Sequence, residues 1–475
     1  MSGRKVLPLL AVLVVLTTYA FFGSLGHFTF PLVTWRQSYY ASLTEGFLNG
    51  KLSMAHEPPA GLASLNNPYR IEERQAAGIR VIYDASYYEG RYYLYFSPVP
   101  AVLFFVPFKL LFGGYPSETL ATTVFASIGF LFIALFLRRA MWLSPRAPVV
   151  PLWVWILALG IGNLIPYVLI RSGVYQVAIG CAMMFTGAWA YSLVRFIETR
   201  NAGRVAVMSL CLALALASRP NLMVLGLPTV IALLVFRPRD GWARSAFALV
   251  LPILLVGGAI MAYNQARFGD PFQSGHDYQL TANPHSMCSL THLREVARVA
   301  NGVLHYVFWA PSVDGEFPFV TAPMHRLDPE TSYRGWPEPI VGVAFLSPLI
   351  LIGSFLALLL PRRNPWSDPR LAPGLLVLVS GWIVLVSLSS CAWVTARYVL
   401  DFVWLLLAGA ILCTEVALSR LADMDLDLRP LRALCGLVIV WSIVFALLLA
   451  LSRGLGDREA PTAAERHAAM LGGSP

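Results

Sequence analysis

Apolar runs of bilayer-spanning length recur along almost the whole chain, and they constrain its fold more than any other feature. A helix needs roughly 17–25 predominantly apolar residues to cross a membrane. Such runs lie near 6–26, 117–137, 149–170, 173–196, 204–218, 221–236, 244–263, 340–360, 373–391, 397–418 and 433–452, which predicts about 11 spans. Hydrocarbon offers no partner to a backbone amide, so each span must satisfy its own as a helix. The expected fold class is therefore an all-α polytopic membrane protein, with residues 1–475 forming a single membrane domain. Composition agrees: 57% of residues are hydrophobic and 13% charged, where a soluble domain has about a quarter charged.

Two of the runs, 204–218 and 221–236, are short and meet at Arg219-Pro220, so they read as a tight hairpin or one broken, tilted element. The stretch PVPAVLFFVPFKLLFG (98–113) is too short and too proline-rich to span, and reads as an interfacial or re-entrant helix. A formal charge of +9 would suit a nucleic-acid partner, but no basic run is interleaved with aromatics as such binding requires. The arginines instead mark orientation. With Arg4-Lys5 inside, the short loops holding Arg138, Arg139 and Arg146, Arg195, Arg200 and Arg204, Arg237, Arg239 and Arg244, Arg362, Arg363 and Arg370, and Arg420, Arg429 and Arg432 all fall on the same side. The positive-inside rule then places the N-terminus in the cytoplasm and the chain in the cytoplasmic (inner) membrane, against membrane lipids.

Two large polar segments fall outside in this arrangement. The first outer loop covers 27–113 and carries NNPYRIEERQAAGIRVIYDASYYEGRYYLYFSPVP from Asn66 to Pro100. Gly90, in Glu-Gly-Arg between aromatic runs, predicts a hairpin-like turn, and the density of Tyr, Ile and Phe argues for order. The second outer loop covers 264–339. Within it, Leu290, Leu293, Val296, Ala297, Ala300, Val303, Leu304 and Val307 recur at helical spacing, predicting an amphipathic helix over 289–309 with Ser289 as its cap. Neither loop looks long or apolar enough to build a sizeable core of its own. RFGDPF (Arg267 to Phe272) is expected to pack the second loop against the first.

Cysteine and histidine usage points to no metal site and no cofactor. Cys181, Cys211, Cys413 and Cys435 lie in apolar runs as small hydrophobes; Cys288 and Cys391 both fall near the outer side, where a disulfide is conceivable. His276, His285 and His292 are spaced too irregularly for zinc, and read as solvated or interfacial side chains.

Four stretches carry a resemblance: YYASLTEGFLNGKL (Tyr39 to Leu52), NNPYRIEER with the following YDASYYEGRYYLYFSPVP, YNQARFGDPFQSGHDYQ (Tyr263 to Gln279) and CAWVTARYVLDF (Cys391 to Phe402). With their order along the chain, they resemble the GT-C superfamily of integral-membrane glycosyltransferases, closest to bacterial relatives of the dolichyl-phosphate-mannose mannosyltransferases and the aminoarabinose transferase. The resemblance implies a GT-C-like bundle with two large outer-face loops. It implies inverting transfer of a sugar from a polyprenyl-phosphate donor to a lipid or glycan acceptor on the outer face.

That reaction needs a carboxylate as general base and cations on the leaving phosphate. Arg171, Arg219 and Arg397 fall at outer ends of expected spans, where a guanidinium fork suits phosphate, although snorkelling to headgroups is the plainer role for any one of them. Helical spacing would let Arg397 meet Asp401. Members of the superfamily usually carry an acid soon after the first helix, and here Arg36-Gln37 stands there. Asp84, between an apolar pair and aromatics, is the leading candidate base, with Glu57 and Glu45 behind it. Tyr69, Tyr88, Tyr93 and Tyr398 are candidate substrate contacts, though an interfacial aromatic belt would use tyrosines equally. Two other classes fit the same chain: a transporter or flippase for a lipid-linked sugar, and an inactive scaffold relative, the latter favoured by Arg36-Gln37.

Overall fold

The computed structural model describes residues 3–281, 295–323, 339–360, 366, 368–391, 394–424 and 426–458. The expectations for Ser289, Cys288, His285 and His292 lie outside the described residues.

The chain opens with α1 (Gly3–Gly23), then enters a long polar excursion holding α2 (Tyr39–Leu48), α3 (Ile71–Ala76) and the hairpin β1 (Ser86–Tyr88) and β2 (Arg91–Tyr93). The 98–113 stretch is a π-helical turn, Ala101–Phe105, running into α4 (Val106–Phe112), whose Leu110, Leu111 and Phe112 are exposed. The bundle follows with α5 (Glu118–Met141), α6 (Leu152–Ile161), α7 (Ile165–Leu169), α8 (Val174–Thr199), α9 (Ala202–Ser218), α10 (Gly226–Phe236) and α11 (Trp242–Phe268). A second excursion carries α12 (Val296–Phe308) and the two-residue strands β3 (Ser312–Val313) and β4 (Val320–Thr321). Then come α13 (Val343–Leu346), α14 (Leu349–Leu359), α15 (Leu371–Leu388), α16 (Val403–Ala422) and α17 (Arg429–Arg458).

Eight helices among the described residues are long and apolar enough to cross a membrane. The other three expected spans are shorter helices: Ala202–Ser218, Pro220–Phe236 and Leu349–Leu359. This is a multi-pass helical membrane protein. One face of α11 leaves Phe247, Leu254 and Leu255 each more than 60% exposed among the described residues. Apolar exposure on that scale fits lipid rather than water as its solvent.

Small residues set the helix spacing, as expected where packing rather than hydrophobicity drives association. α5 meets α8 at Gly129 and Gly187: a Cβ on Gly187 would lie 2.9 Å from the Gly129 carbonyl oxygen. α14 meets α16 where a Cβ on Gly353 would lie 2.4 Å from Ala410.

The bundle has two distinct ends. At one, basic side chains tie helix termini together: Arg139 to Glu198 at 2.6 Å, Arg146 to Asp423, and Arg370 donating to the Met141 and Arg146 carbonyls. At the other end sit both excursions. The first takes part in a core that it shares with the bundle. Tyr40, Leu43, Leu62, Ile82, Ala85, Tyr92, Leu94 and Phe105 bury together with Phe125 of α5, Val177 and Cys181 of α8, and Leu280 of the second excursion. The loop is too small to enclose a core alone, and the ends of α5 and α8 supply its floor.

Candidate functional site

The first loop folds back on itself through short-range geometry. Glu89 and Gly90 are both left-handed, φ +47° and +72°, so the two-residue turn matches the twist of the strands it joins. The register pairs Ser86 with Tyr93 and Tyr88 with Arg91. Segment 275–281 then lies along the hairpin: the Leu280 amide donates to the Ala85 carbonyl at 2.9 Å, and the Asp84 amide donates to the Leu280 carbonyl at 3.0 Å. Arg74 clamps the same place, donating to the Pro68 and Thr281 carbonyls at 2.8 and 3.1 Å. From α11, buried Arg267 donates to the Leu94 carbonyl at 2.8 Å.

These ties hold Asp84 at φ +59°, in the left-handed region that costs a non-glycine residue energy and recurs at functional positions. Its carboxylate is buried, 8% exposed. The Tyr175 hydroxyl of α8 donates to Asp84 Oδ2, while Oδ1 is buried without a hydrogen bond. Burial pushes the Asp84 carboxyl above the usual range; the hydrogen bonds from Tyr175 and Thr281 and the fields of Arg397 and His276 pull the other way without cancelling it.

Tyr175 extends the site toward the bundle. Its ring face carries the Arg397 guanidinium, 4.4 Å from the centroid. Arg397 belongs to the 3-10 turn Ala396–Asp401 that precedes α16. The Tyr398 ring lies 5.5 Å from Arg397 and 5.0 Å from Arg219. Arg219 sits where Pro220 ends α9, in extended conformation, which aims it across the bundle instead of along the helix. It binds Asp401 at 2.8 Å, and Asn221 donates to the same oxygen at 3.2 Å. Asp401 thus pairs across 182 residues with Arg219, from a segment that winds as 3-10 where a regular helix was expected. Tyr95 closes one side, its ring tilted against Phe96 at 4.0 Å and 6.1 Å from His276. Burial, with Asp84 nearby, pushes its phenol well up.

Of the sequence candidates, the structure brings Asp84, Arg219, Arg397 and Tyr398 together. Arg171 is exposed in the turn between α7 and α8. Glu45, on α2, accepts from Tyr115 and from Asn49 at 3.1 Å, away from Asp84. Glu57 is exposed. Tyr69, Tyr88 and Tyr93 gather around Phe268 and Tyr278, with Tyr88 and Tyr278 centroids 4.6 Å apart. That cluster glues the second excursion to the hairpin. Cys391 lies three residues past the end of α15, and Cys288, its expected disulfide partner, is outside the described residues.

Two residues escape sequence reasoning. Tyr175 is one, and its only sequence signal is a tyrosine in the first turn of an apolar run. The other is Glu118, 6% exposed, whose Oε1 accepts from Ser38 Oγ and from the Tyr39 amide, both at 3.0 Å. It delivers a carboxylate to the turn after Arg36-Gln37, where the local sequence has none. Tyr39 in turn donates to the Tyr83 carbonyl at 2.6 Å, next to Asp84. Among the described residues no group of three His, Cys, Asp or Glu side chains is placed to share a metal ion.

No protein-family model and no curated protein matches the chain. Among solved structures it is similar to ArnT, the aminoarabinose transferase, from Cupriavidus metallidurans bound to undecaprenyl phosphate, with 16% identity and a TM-score of 0.45 over 98% of this chain and 75% of that one. It is also similar to the Archaeoglobus fulgidus oligosaccharyltransferase in its apo form, with 13% identity and a TM-score of 0.42 over 99% of this chain. The match spans 56% of that protein's length. Both of those proteins are GT-C glycosyltransferases.

Proposed function

We propose that this protein transfers a sugar from a polyprenyl-phosphate donor to an acceptor hydroxyl at the loop-bearing end of the bundle, on the outer face of the cytoplasmic membrane. The observation that carries the reading is the single phenol of Tyr175, which has a buried carboxylate on its hydroxyl and a guanidinium on its ring face. A base and a phosphate-binding cation are thereby held one side chain apart at the ends of spanning helices. A lipid phosphate at headgroup depth would reach them there.

In this reading Asp84 takes the proton of the acceptor hydroxyl as its oxygen bonds to the anomeric carbon from the side opposite the phosphate. The bond from that carbon to the phosphate oxygen breaks, its electron pair leaves with the lipid phosphate, and the sugar inverts. Arg397 lies against the charge that develops on the phosphate. Arg219 is partly neutralised by Asp401 and acts mainly by holding Tyr398 and the 3-10 turn in place. Burial suits Asp84 to the work, since a raised carboxyl is a stronger base when ionised. Tyr95 and Tyr398 line the space between the charges and are the tyrosines best set to contact sugar.

A site at helix ends also separates this reading from a transporter, whose polar site belongs near the bilayer midplane. The test is chemical. A strain lacking the protein should accumulate a polyprenyl-phosphate-linked sugar and lose one substituent of a surface glycan or lipid. An unchanged pool of lipid-linked sugars and unchanged surface glycans would refute the proposal.

A further inference from the structure

We infer that Tyr175 is the positioning residue that couples the two halves of this site, its hydroxyl fixing the Asp84 carboxylate and its ring face fixing the Arg397 guanidinium. The inference rests on the reading of Asp84 as the base, and goes beyond it by giving a role to a residue that contributes no chemistry of its own.

Three observations carry it. Tyr175 stands on a rigid stem: it is the second residue of α8, whose start is fastened by the Gly173 amide donating to Gln176 Oε1 at 3.0 Å. Its ring is clamped by Phe96 edge-on, centroids 5.4 Å apart, with the Arg397 guanidinium against its face. Its hydroxyl donates to Asp84 Oδ2, the larger of two side-chain hydrogen bonds to the carboxylate, the other coming from Thr281, while Oδ1 lies buried without a hydrogen-bond partner. A hydrogen bond to the ionised form stabilises that form against burial.

Several groups face Asp84. Tyr175 approaches from α8, Arg397 from the 3-10 turn, His276 and the hydrogen-bonding Thr281 from the second excursion, Tyr39 from α2, and Tyr95 from the segment after the hairpin. Of these, Tyr175 touches both charges. Removing its hydroxyl alone should therefore free the carboxylate and leave the guanidinium seated, and removing its ring should disturb both.

The test uses the full-length protein in detergent, and the carbonyl stretch of the protonated Asp84 carboxyl, identified as the infrared band that D84N abolishes. In Y175F the pH midpoint of that band should rise by about 1–2 units, the size expected for losing a hydrogen bond to a charged group. Binding of farnesyl phosphate, used as a short probe, should stay within about twofold of wild type in Y175F. In Y175L it should weaken about five- to tenfold, as for loss of a cation–π contact. An unmoved midpoint in Y175F, or wild-type binding of the probe by Y175L, would overturn the inference. The base assignment is tested separately: D84N that still transfers sugar sinks that assignment, whereas inactive D84N beside an unmoved Y175F midpoint sinks only the coupling role of Tyr175.

Discussion

Asp84 combines three costs that a structural residue seldom carries together: burial, a left-handed backbone and an unsatisfied carboxylate oxygen. Their consequence for stability has a definite sign. Burial raises its folded pKa above the unfolded value of about 3.9. Stability is then greatest below the unfolded pKa and is lost as pH rises through the folded one. Asp84→Asn should therefore unfold at a higher temperature than wild type at neutral pH, by thermal scanning in detergent, and should flatten the pH dependence in the acid range. Arg397→Ala should leave unfolding almost unchanged while weakening binding of a polyprenyl monophosphate at least tenfold, measured by titration. Asp84 was legible in the sequence because its apolar and aromatic neighbours announce burial. Tyr175 and Glu118 were not, since their partners lie 91 and 80 residues away and no local pattern encodes such a meeting.

At the scale of elements, Gly90 and Arg219-Pro220 were readable because backbone chemistry alone dictates what they do: one turns the hairpin and the other ends a helix. The strand-like pairing of 279–281 with 84–86 was not readable, because those residues carry no alternating pattern and owe their conformation to the hairpin beside them. This pairing can be broken at Gly275, at φ +94°, where a Cβ would lie 2.8 Å from both the Phe268 ring and Ser86 Oγ. Gly275→Val should lower stability by about 1–3 kcal/mol and lose transfer activity even though no reacting group is touched. Glu118 allows a sharper separation. Glu118→Gln keeps an oxygen for Ser38 and Tyr39 and should unfold close to wild type, whereas Glu118→Ala should lose about 1–3 kcal/mol by orphaning those donors. A stable but inactive Glu118→Gln would mean that its charge, and not only its hydrogen bonds, serves the reaction.

For the whole molecule, apolar periodicity delivered the fold class and most of the spans, because the bilayer leaves a chain of this composition little choice. What it missed is the loop core, which forms only because α5 and α8 extend past the bundle to floor it. That extension brings the buried acid of a polar loop to arginines rooted at helix breaks, and the proposed chemistry depends on it. The most direct test is to return wild type and Asp84→Asn to the strain lacking the protein and to measure its polyprenyl-phosphate-linked sugars by mass spectrometry, with membrane levels of the two proteins matched. The predicted result is that wild type clears the accumulated lipid-linked sugar and Asp84→Asn leaves it at the level of the empty strain, a loss of at least a hundredfold in transfer rate as for removal of a general base. Clearance by Asp84→Asn as complete and as fast as by wild type would contradict the account.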